Sequence, residues 1–220
     1  MGLREEIEGA LAAAAADGGV QQLSIDGDED VWVAGVVATD GMLEVRVGDR
    51  GPRRGLRRRR ADRSVMEAQG FRESFDDAWV LPVPPGVGQA AWGAAAAVSA
   101  LVDGLGVEAN ARAEVFFVQR GAKDLVEAVE ALSSGDEEIA FVDPVGGDNV
   151  LALVADGDGV RVEVLWPSDE PLDVPGFELD GDERLSRRRV EPDEAVAAAR
   201  TALDALGIGP GDRLFIHLGE

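Results

Sequence analysis

The feature that most constrains the fold of this chain is an internal repeat, in which residues 2–47 correspond segment by segment to residues 121–165. Each segment opens with apolar residues at helical spacing, which are Leu3, Ile7, Ala10 and Leu11 in the first and Leu125, Val129 and Leu132 in the second. A short strand is predicted after each of these helices, at residues 20–25 and 139–142. The pattern favours two small domains over one large domain.

A β-hairpin is predicted after each short strand. Two extended runs are joined at Asp40 and Gly41 in the first half, and at Asp158 and Gly159 in the second. Asp-Gly suits the tight turns of hairpins, because both central positions can adopt a positive φ. Alternating apolar residues mark one buried face of each hairpin, namely Leu43, Val45 and Val47 in the first half and Val160, Val162 and Val164 in the second.

The remainder of each half also corresponds, through a Gly-Phe pair, a strand, an Ala-rich helix and a closing strand. These features lie at Gly70-Phe71, 78–83, 89–105 and 114–118 in the first half, and at Gly176-Phe177, 184–190, 192–206 and 213–217 in the second. A glycine follows each Ala-rich helix, at Gly106 or Gly207, because the left-handed conformation that closes a helix favours glycine.

These matched elements predict an α+β fold made by tandem duplication of an α-β-β-β-β-α-β unit. We expect residues 1–118 and 121–220 to form the two repeats, each an antiparallel sheet with helices on one face. A pseudo-twofold axis would relate them, so that the chain is a monomer with pseudo-dimeric halves or a homodimer. The alternative is a chance similarity between two α+β segments.

The order of elements carries a resemblance to a known family. A helix, a three-stranded meander and a helix that ends in Leu-Gly-Val (105–107) or Leu-Gly-Ile (206–208) resemble the superfamily that joins type III secretion chaperones with YbjN-like proteins. The resemblance covers most of each half, and the additional strands depart from the family's minimal pattern. It implies a small, acidic, non-enzymatic protein that binds peptide segments of partner proteins.

Acidic residues dominate the charge of the chain, since 43 Asp and Glu against 21 Lys and Arg give a formal net charge of −22. Such a surface repels the backbone of nucleic acids and keeps the protein soluble. Lys123 is the only lysine, so the other basic residues are all arginine. This composition is typical of halophilic archaea, where acidity is an adaptation to salt, and of high-GC actinobacteria, where acidity would belong to the function.

Several chemistries are excluded by the residue types present. The chain has no cysteine, which rules out disulfides, thiolate nucleophiles and Cys-ligated zinc. His217 is the only histidine, so neither a Ser-His-Asp triad nor a histidine metal cluster can be assembled, and a structural role is the better interpretation. Carboxylate pairs remain open as acid–base groups, but no pair stands out. We therefore predict a protein that is not an enzyme and binds neither cofactor nor metal.

Neither a membrane span nor a secretion signal is indicated by the sequence. No apolar run reaches the ~18 residues that a membrane-spanning helix needs. The N-terminus carries Arg4, Glu5, Glu6 and Glu8, which is unlike a signal peptide. We expect a cytoplasmic protein.

Two motifs admit a functional interpretation, and in both cases a structural one is preferred. Residues 86–91 match the G-x-G-x-x-[GA] pattern of dinucleotide-binding loops, but the prolines within residues 81–85 argue against the buried parallel strand that this motif requires. We interpret the segment as the start of a helix. Residues 26–30 offer acidic ligands for calcium without the spacing of an EF-hand, so a polar turn between strands is predicted.

An arginine-rich loop at residues 50–63 has no counterpart in the second half, where the equivalent residues 168–171 are acidic. Its eight arginines are Arg50, Arg53, Arg54, Arg57, Arg58, Arg59, Arg60 and Arg63. Three interpretations stay open: forked contacts to an external acidic partner, pairing with the protein's own acidic face, or a disordered loop.

The best hypothesis from these observations is a non-enzymatic protein- or peptide-binding module, chaperone- or adaptor-like. It would take up a segment in a groove between its halves or on an exposed strand edge. The alternative is a regulator that binds nucleic acid or another polyanion through the arginine-rich loop. Candidate partner-binding residues are Arg53, Arg54, Arg57, Arg58, Arg59, Arg60, Arg63, Trp79 and Trp92, and Trp32 and Trp166 are further candidates for such a groove.

Overall fold

The computed structural model describes residues 2–54, 57–74, 77–144, 151–165, 172–180 and 185–219. The chain forms two compact units, of which the first comprises Met1–Val37 and Gly41–Gln119 and the second Ala38–Asp40 and Arg120–Glu220. Each unit has its own hydrophobic core. Within the described ranges, no helix is long and apolar enough to cross a membrane.

The first unit is built around a six-stranded antiparallel sheet. Its elements, in chain order, are α1 (Leu3–Asp17), β1 (Val20–Ile25), β2 (Asp28–Val37), β3 (Leu43–Gly48), β4 (Arg50–Arg54), β5 (Arg57–Arg60), α2 (Arg63–Ala68), β6 (Arg72–Glu73), β7 (Ala78–Val83), α3 (Gln89–Ser99) and β8 (Ala113–Gln119). A π-helical turn, Ala100–Leu105, continues α3 as far as Gly106. The strand order is β6-β7-β3-β2-β1-β8, and β4 pairs with β5 in a separate two-stranded ribbon.

The second unit also contains a six-stranded antiparallel sheet. Its elements are α4 (Leu125–Ser134), β9 (Ile139–Pro144), β10 (Leu151–Asp156), β11 (Gly159–Leu165), β12 (Glu178–Asp180), β13 (Leu185–Val190), α5 (Pro192–Ala205) and β14 (Leu214–Gly219). The strand order is β12-β13-β11-β10-β9-β14, which matches the first sheet position by position. The predicted α+β fold with antiparallel sheets is confirmed, whereas duplication of the sequence and a twofold relation between the halves stay predictions.

Both sheets bury the face that the apolar alternation predicts. The buried residues are Leu43, Val45 and Val47 of β3, and Val160, Val162 and Val164 of β11. In the first unit α1 and α3 contact each other and the sheet, and in the second unit α4 and α5 do the same. The Ala-rich helices also end at the two glycines that were predicted to close them. Gly106 (φ 75°) and Gly207 (φ 78°) both adopt the left-handed conformation.

Two glycines set how closely the helices approach the first sheet. A Cβ at Gly93 of α3 would lie 2.8 Å from Cγ2 of Val45, which is closer than packed carbon atoms tolerate. A Cβ at Gly35 of β2 would lie 2.6 Å from Cδ2 of Leu11 on α1. A side chain at either position would require the leucine or valine that it meets, or the helix itself, to shift.

The hairpin turns differ from the prediction in length and position. In the first hairpin, residues 38–42 form a five-residue connection in which Gly41 has a positive φ (79°) but its aspartate neighbour does not. In the second hairpin, Asp156 pairs with Gly159, so the turn consists of residues 157–158 and begins one residue earlier than predicted. Asp-Gly pairs therefore indicated hairpins correctly but not their turn geometry.

Two further features were not predicted. Each sheet has an additional short strand at one edge, β6 or β12, of two or three residues. Strands of this length show no alternation that a sequence could reveal. The predicted loop at residues 50–63 is instead a pair of strands, β4 and β5, followed by the start of α2.

Candidate functional site

The arginine-rich segment forms a β-ribbon, in which β4 pairs with β5. These two strands, residues 50–54 and 57–60, are named the arginine ribbon. Arg53 lies opposite Arg58, and Arg50 lies opposite Arg60. Like charges that face each other across two strands destabilise their pairing. The ribbon therefore needs negative charge close to it, from the protein itself or from a ligand.

Arg58 is held by the protein's own acids. Its two Nη groups donate hydrogen bonds to the carboxylate oxygens of Asp28, at 2.9 and 3.0 Å, and one of them also donates to Asp30. The side chain of Arg58 is only 19% exposed, so this forked contact is partly shielded from water. The hydrogen bond lowers the pKa of Asp28 below its ordinary value and raises the pKa of Arg58.

Three more arginines of this segment lie near carboxylates. The pairs are Arg63 with Glu67 (2.7 Å), Arg60 with Asp49 (3.6 Å) and Arg50 with Asp77 (3.7 Å). Arg53 and Arg59 are exposed, and the side chains of Arg54 and Arg57 lie outside the described part of the chain. Among the three interpretations of the segment, this arrangement favours pairing with the protein's own acidic face.

The tryptophans predicted for a groove have unrelated environments. Trp79 belongs to the core of the first unit, and its indole donates a hydrogen bond to Oδ1 of Asp49 at 3.0 Å. The prediction that Trp79 contacts a partner is therefore corrected, because a buried indole is not available at the surface. Trp92 on α3 is half-exposed. Trp32 lines a shallow, mainly acidic depression of about 200 Å³, and Trp166 lies outside the described residues.

The segment that matches a dinucleotide-binding loop is the start of a helix, as predicted. Gly88 (φ 83°) caps α3, and Gln89 is the first residue of that helix. The preceding strand, β7, pairs antiparallel with β3 and β6. A dinucleotide-binding loop requires a parallel strand at that place.

His217 lies in a strand, and the acidic residues 26–30 lie in a turn and in the strand that follows it. His217 lies in β14, with Nε2 at 3.6 Å from Oδ2 of Asp143. Asp26 (φ 52°) and Gly27 (φ 69°) form the tight turn between β1 and β2, and the rest of the acidic segment belongs to β2. Over the residues that the structure describes, no group of three or more His, Asp or Glu side chains is placed to hold a metal ion.

An apolar surface that sequence reasoning did not select lies on β8. Its four consecutive residues Val115, Phe116, Phe117 and Val118 are between 44% and 56% exposed. β8 is an edge strand of the first sheet, with β1 as its neighbour on one side. Residues 113–119 with their outer main-chain groups are named the β8 edge. An edge that combines apolar side chains with available main-chain groups is a site where another strand can add.

A β-bulge interrupts the pairing of β8 with β1. Val115 lies opposite Leu23 and Phe117 lies opposite Gln22, so Phe116 is an extra residue between them. Opposite residues of an antiparallel pair share a face, which puts Val115 on the side of the buried Leu23 and Phe117 on the other side. The apolar surface therefore wraps around the edge instead of occupying one face.

The corresponding edge strand of the second unit, β14, is covered by the main chain of residues 120–122. The amide of Ala122 donates to the carbonyl of Ile216, and the amide of Leu218 donates to the carbonyl of Arg120. No such main-chain cover lies along β8 among the described residues. The two sheets share a strand order but differ in whether this edge is open.

Nothing in the sequence indicates that the edge of β8 is open and that the edge of β14 is covered. Four consecutive apolar residues, as in β8, are typical of a strand buried on both faces. β14 is similarly apolar, and its residues Leu214 and Ile216 are buried. Which strand lies at an open edge depends on long-range pairing that the local sequence does not report.

No family model, no curated protein and no solved structure matches this chain. The resemblance to the superfamily of type III secretion chaperones and YbjN-like proteins therefore stays a prediction. The function has to be argued from the β8 edge and the arginine ribbon, because a fold by itself does not specify a function.

Proposed function

We propose that the protein is a non-enzymatic, cytoplasmic binding module that takes up an extended segment of a partner protein on the β8 edge. The observation that supports this proposal is the run of four half-exposed apolar residues on a strand with an open edge. A strand that adds to such an edge gains affinity from main-chain hydrogen bonds, and the side chains of the edge select its sequence.

The size of the apolar surface indicates a transient complex. About half of each of four large side chains is exposed, which corresponds to roughly 300–400 Å² and is within the range of functional patches on soluble proteins. Stable complexes bury about 800 Å² on each partner. A single docked strand should therefore bind reversibly and with modest affinity.

The charge of the protein defines the chemistry of the segment. Only Glu114 is charged among the seven residues of β8, whereas the whole chain carries a net charge of −22. Basic residues on either side of an apolar centre are attracted to such a surface, and acidic segments are repelled. The preferred partner segment is an apolar stretch with Lys or Arg at its ends.

The alternative, polyanion binding by the arginine ribbon, has weaker support. Arg53 and Arg59 are exposed and could reach a phosphate backbone. Arg58, Arg60 and Arg63, however, lie near carboxylates of the same chain. A polyanion would have to displace those carboxylates at a surface whose overall charge repels it.

Binding of synthetic peptides tests the proposal. A library of 12-residue peptides is screened against the purified protein, and the affinities of selected peptides are measured by fluorescence anisotropy. Phe117→Lys places a charge in the centre of the β8 edge. Val126→Lys is the matched control, because Val126 on α4 is 51% exposed and receives the same new side chain.

We expect the wild-type protein and the control to select the same apolar peptides with basic ends. Phe117→Lys should weaken their binding by about tenfold or more, since the loss of a central aromatic hot spot costs about 2 kcal/mol or more at an interface. The proposal fails if no peptide is selected, or if Phe117→Lys binds as the wild type does. Oligonucleotide binding that falls steeply between about 50 and 200 mM salt and is lost in Arg59→Ser/Arg60→Ser would instead support the alternative.

A further inference from the structure

A depression of about 370 Å³ opens on the second unit where β12 ends. It is lined by Arg161, Gly176, Glu178, Arg187, Arg188 and Arg189. The pairing of β12 with β13 extends from Asp180 opposite Leu185 to Glu178 opposite Arg187 and no further. Arg188 is thus the first residue of β13 beyond the end of β12. Four of the depression's six lining residues are arginines, in a chain that has twice as many acidic as basic residues.

Three of these four arginines are engaged within the protein. The ion pairs are Arg161 with Glu163 (2.6 Å) and Asp156 (3.0 Å), and Arg189 with Asp158 (2.6 Å). Arg187 also has an interaction partner. The side chain of Arg188 has neither a hydrogen bond nor an ion pair with any residue that the structure describes. Among the four arginines, Arg188 is therefore the one whose guanidinium donors remain available.

Arg188 occupies a position that is part of the core in the first unit. It lies opposite Val162 across β13 and β11, as Leu81 lies opposite Val45 across β7 and β3. Leu81 is buried, and Arg188 is half-buried. The second unit therefore places a charged side chain at a position of the sheet where the first unit places leucine.

The glycine of the Gly-Phe pair lies close to this position in both units. A Cβ at Gly70 would lie 3.3 Å from Cδ1 of Leu81, and a Cβ at Gly176 would lie 3.3 Å from Nη1 of Arg188. A half-buried guanidinium loses part of its hydration. Arginine cannot relieve this cost by giving up its proton, because its pKa is too high, so an anion is the natural counterpart.

We propose that Arg188 binds the carboxylate or phosphate group of a small molecule in this depression. The planar guanidinium can donate two parallel hydrogen bonds to either group. The volume is at the lower end of the ~300–1,000 Å³ that is usual for small-molecule sites. Glu178 also lines the depression and can accept a hydrogen bond from a ligand hydroxyl or amine. The site shares no residue with the β8 edge and does not depend on the function proposed for it.

Titration of arginine side-chain NMR signals tests this proposal. The Nε–Hε resonances of the ¹⁵N-labelled full chain are followed during addition of inorganic phosphate, of citrate, and of sodium chloride at the same ionic strength. Arg188→Leu introduces the residue that the first unit carries at this position, so the variant should fold. Arg188→Lys keeps the charge but removes the fork, and Arg4→Leu removes an exposed arginine from α1 as the control.

We expect saturable shifts with phosphate, citrate or both, and the difference between the two identifies the preferred oxyanion. Arg188→Leu should weaken binding by about tenfold to a hundredfold, as is typical when one charged hydrogen-bond donor is lost. Arg188→Lys should be intermediate and Arg4→Leu unchanged. The proposal is overturned if phosphate and citrate cause no larger shifts than sodium chloride does. It is also overturned if both Arg188 variants bind as tightly as the wild type.

Discussion

Replacing Arg58 with glutamine and Asp28 with asparagine, singly and together, measures how firmly the arginine ribbon is held by the chain's own acids. The forked contact has two hydrogen bonds of 2.9 and 3.0 Å, and the side chains are 19% and 32% exposed. Exposed ion pairs contribute about 0–1 kcal/mol, and hydrogen bonds to charged groups contribute about 1.5–3 kcal/mol. For this partly shielded pair we expect a coupling free energy of about 1–2 kcal/mol.

Urea unfolding of the four proteins at pH 7 supplies this coupling as a double-mutant cycle. The unfolding transition of the first unit is the relevant one, since both residues belong to it. A coupling smaller than the ~0.5 kcal/mol by which independent sites depart from additivity would refute the reasoning. In that case the ion pair between Arg58 and Asp28 contributes little to stability, and Arg58 would be available to an external polyanion.

The same pair predicts a pH dependence with a definite sign. The hydrogen bond from Arg58 lowers the pKa of Asp28 in the folded protein. A carboxyl group with a lowered folded-state pKa stabilises the protein above its unfolded pKa, about 4, and loses that contribution as the pH falls through the folded-state pKa. The coupling should therefore be complete at pH 7 and decline at increasingly acid pH. A coupling that stays constant into strong acid would contradict the assignment.

Three further predictions concern stability. Gly93→Val should lower the free energy of unfolding by about 1–3 kcal/mol, because the new side chain meets Val45. Gly9→Ala on α1 should instead raise it by about 0.5–1 kcal/mol, because nothing lies within 4 Å of the added Cβ. Urea midpoints compare the two, and equal effects would contradict the close approach of α3. Asp124→Ala should cost about 1 kcal/mol by the same measurement, because its carboxylate accepts hydrogen bonds from the first amides of α4; an unchanged midpoint would argue against this cap. If the acidity is an adaptation to salt, the melting temperature should rise markedly between about 0.1 and 1 M salt, whereas a flat calorimetric response would favour acidity that serves function.

The sheet faces and helix ends were predictable because they leave local signals. Val45 and Val162 alternate with charged neighbours, so a period of two shows which face is buried. Gly106 and Gly207 mark helix ends through a conformation that other residues rarely adopt. Elements that depend on local pattern were therefore found with bounds close to those of the structure.

Features that depend on long-range contacts were not predictable. The contact between Arg58 and Asp28 joins residues thirty positions apart, and nothing in either segment reveals it. β8 is an open edge because no further strand of the sheet pairs with its outer side. The outer side of β14, in contrast, is hydrogen-bonded to residues 120–122. Arg188 was not selected because a charged residue in a strand usually indicates an exposed face. Only its pairing with the buried Val162 shows that it lies on the other face.

The bulge at Phe116 bears on how long a docked segment would remain in place. It divides β8 into two regular stretches, residues 113–115 and 117–119, which differ in register with respect to β1. An added strand could follow each stretch for only a few residues before it had to bend. Few consecutive hydrogen bonds can then form, so release should be fast, on the order of milliseconds to seconds within the wide range of protein complexes. Such a residence time suits a protein that passes its partner on rather than one that stores it.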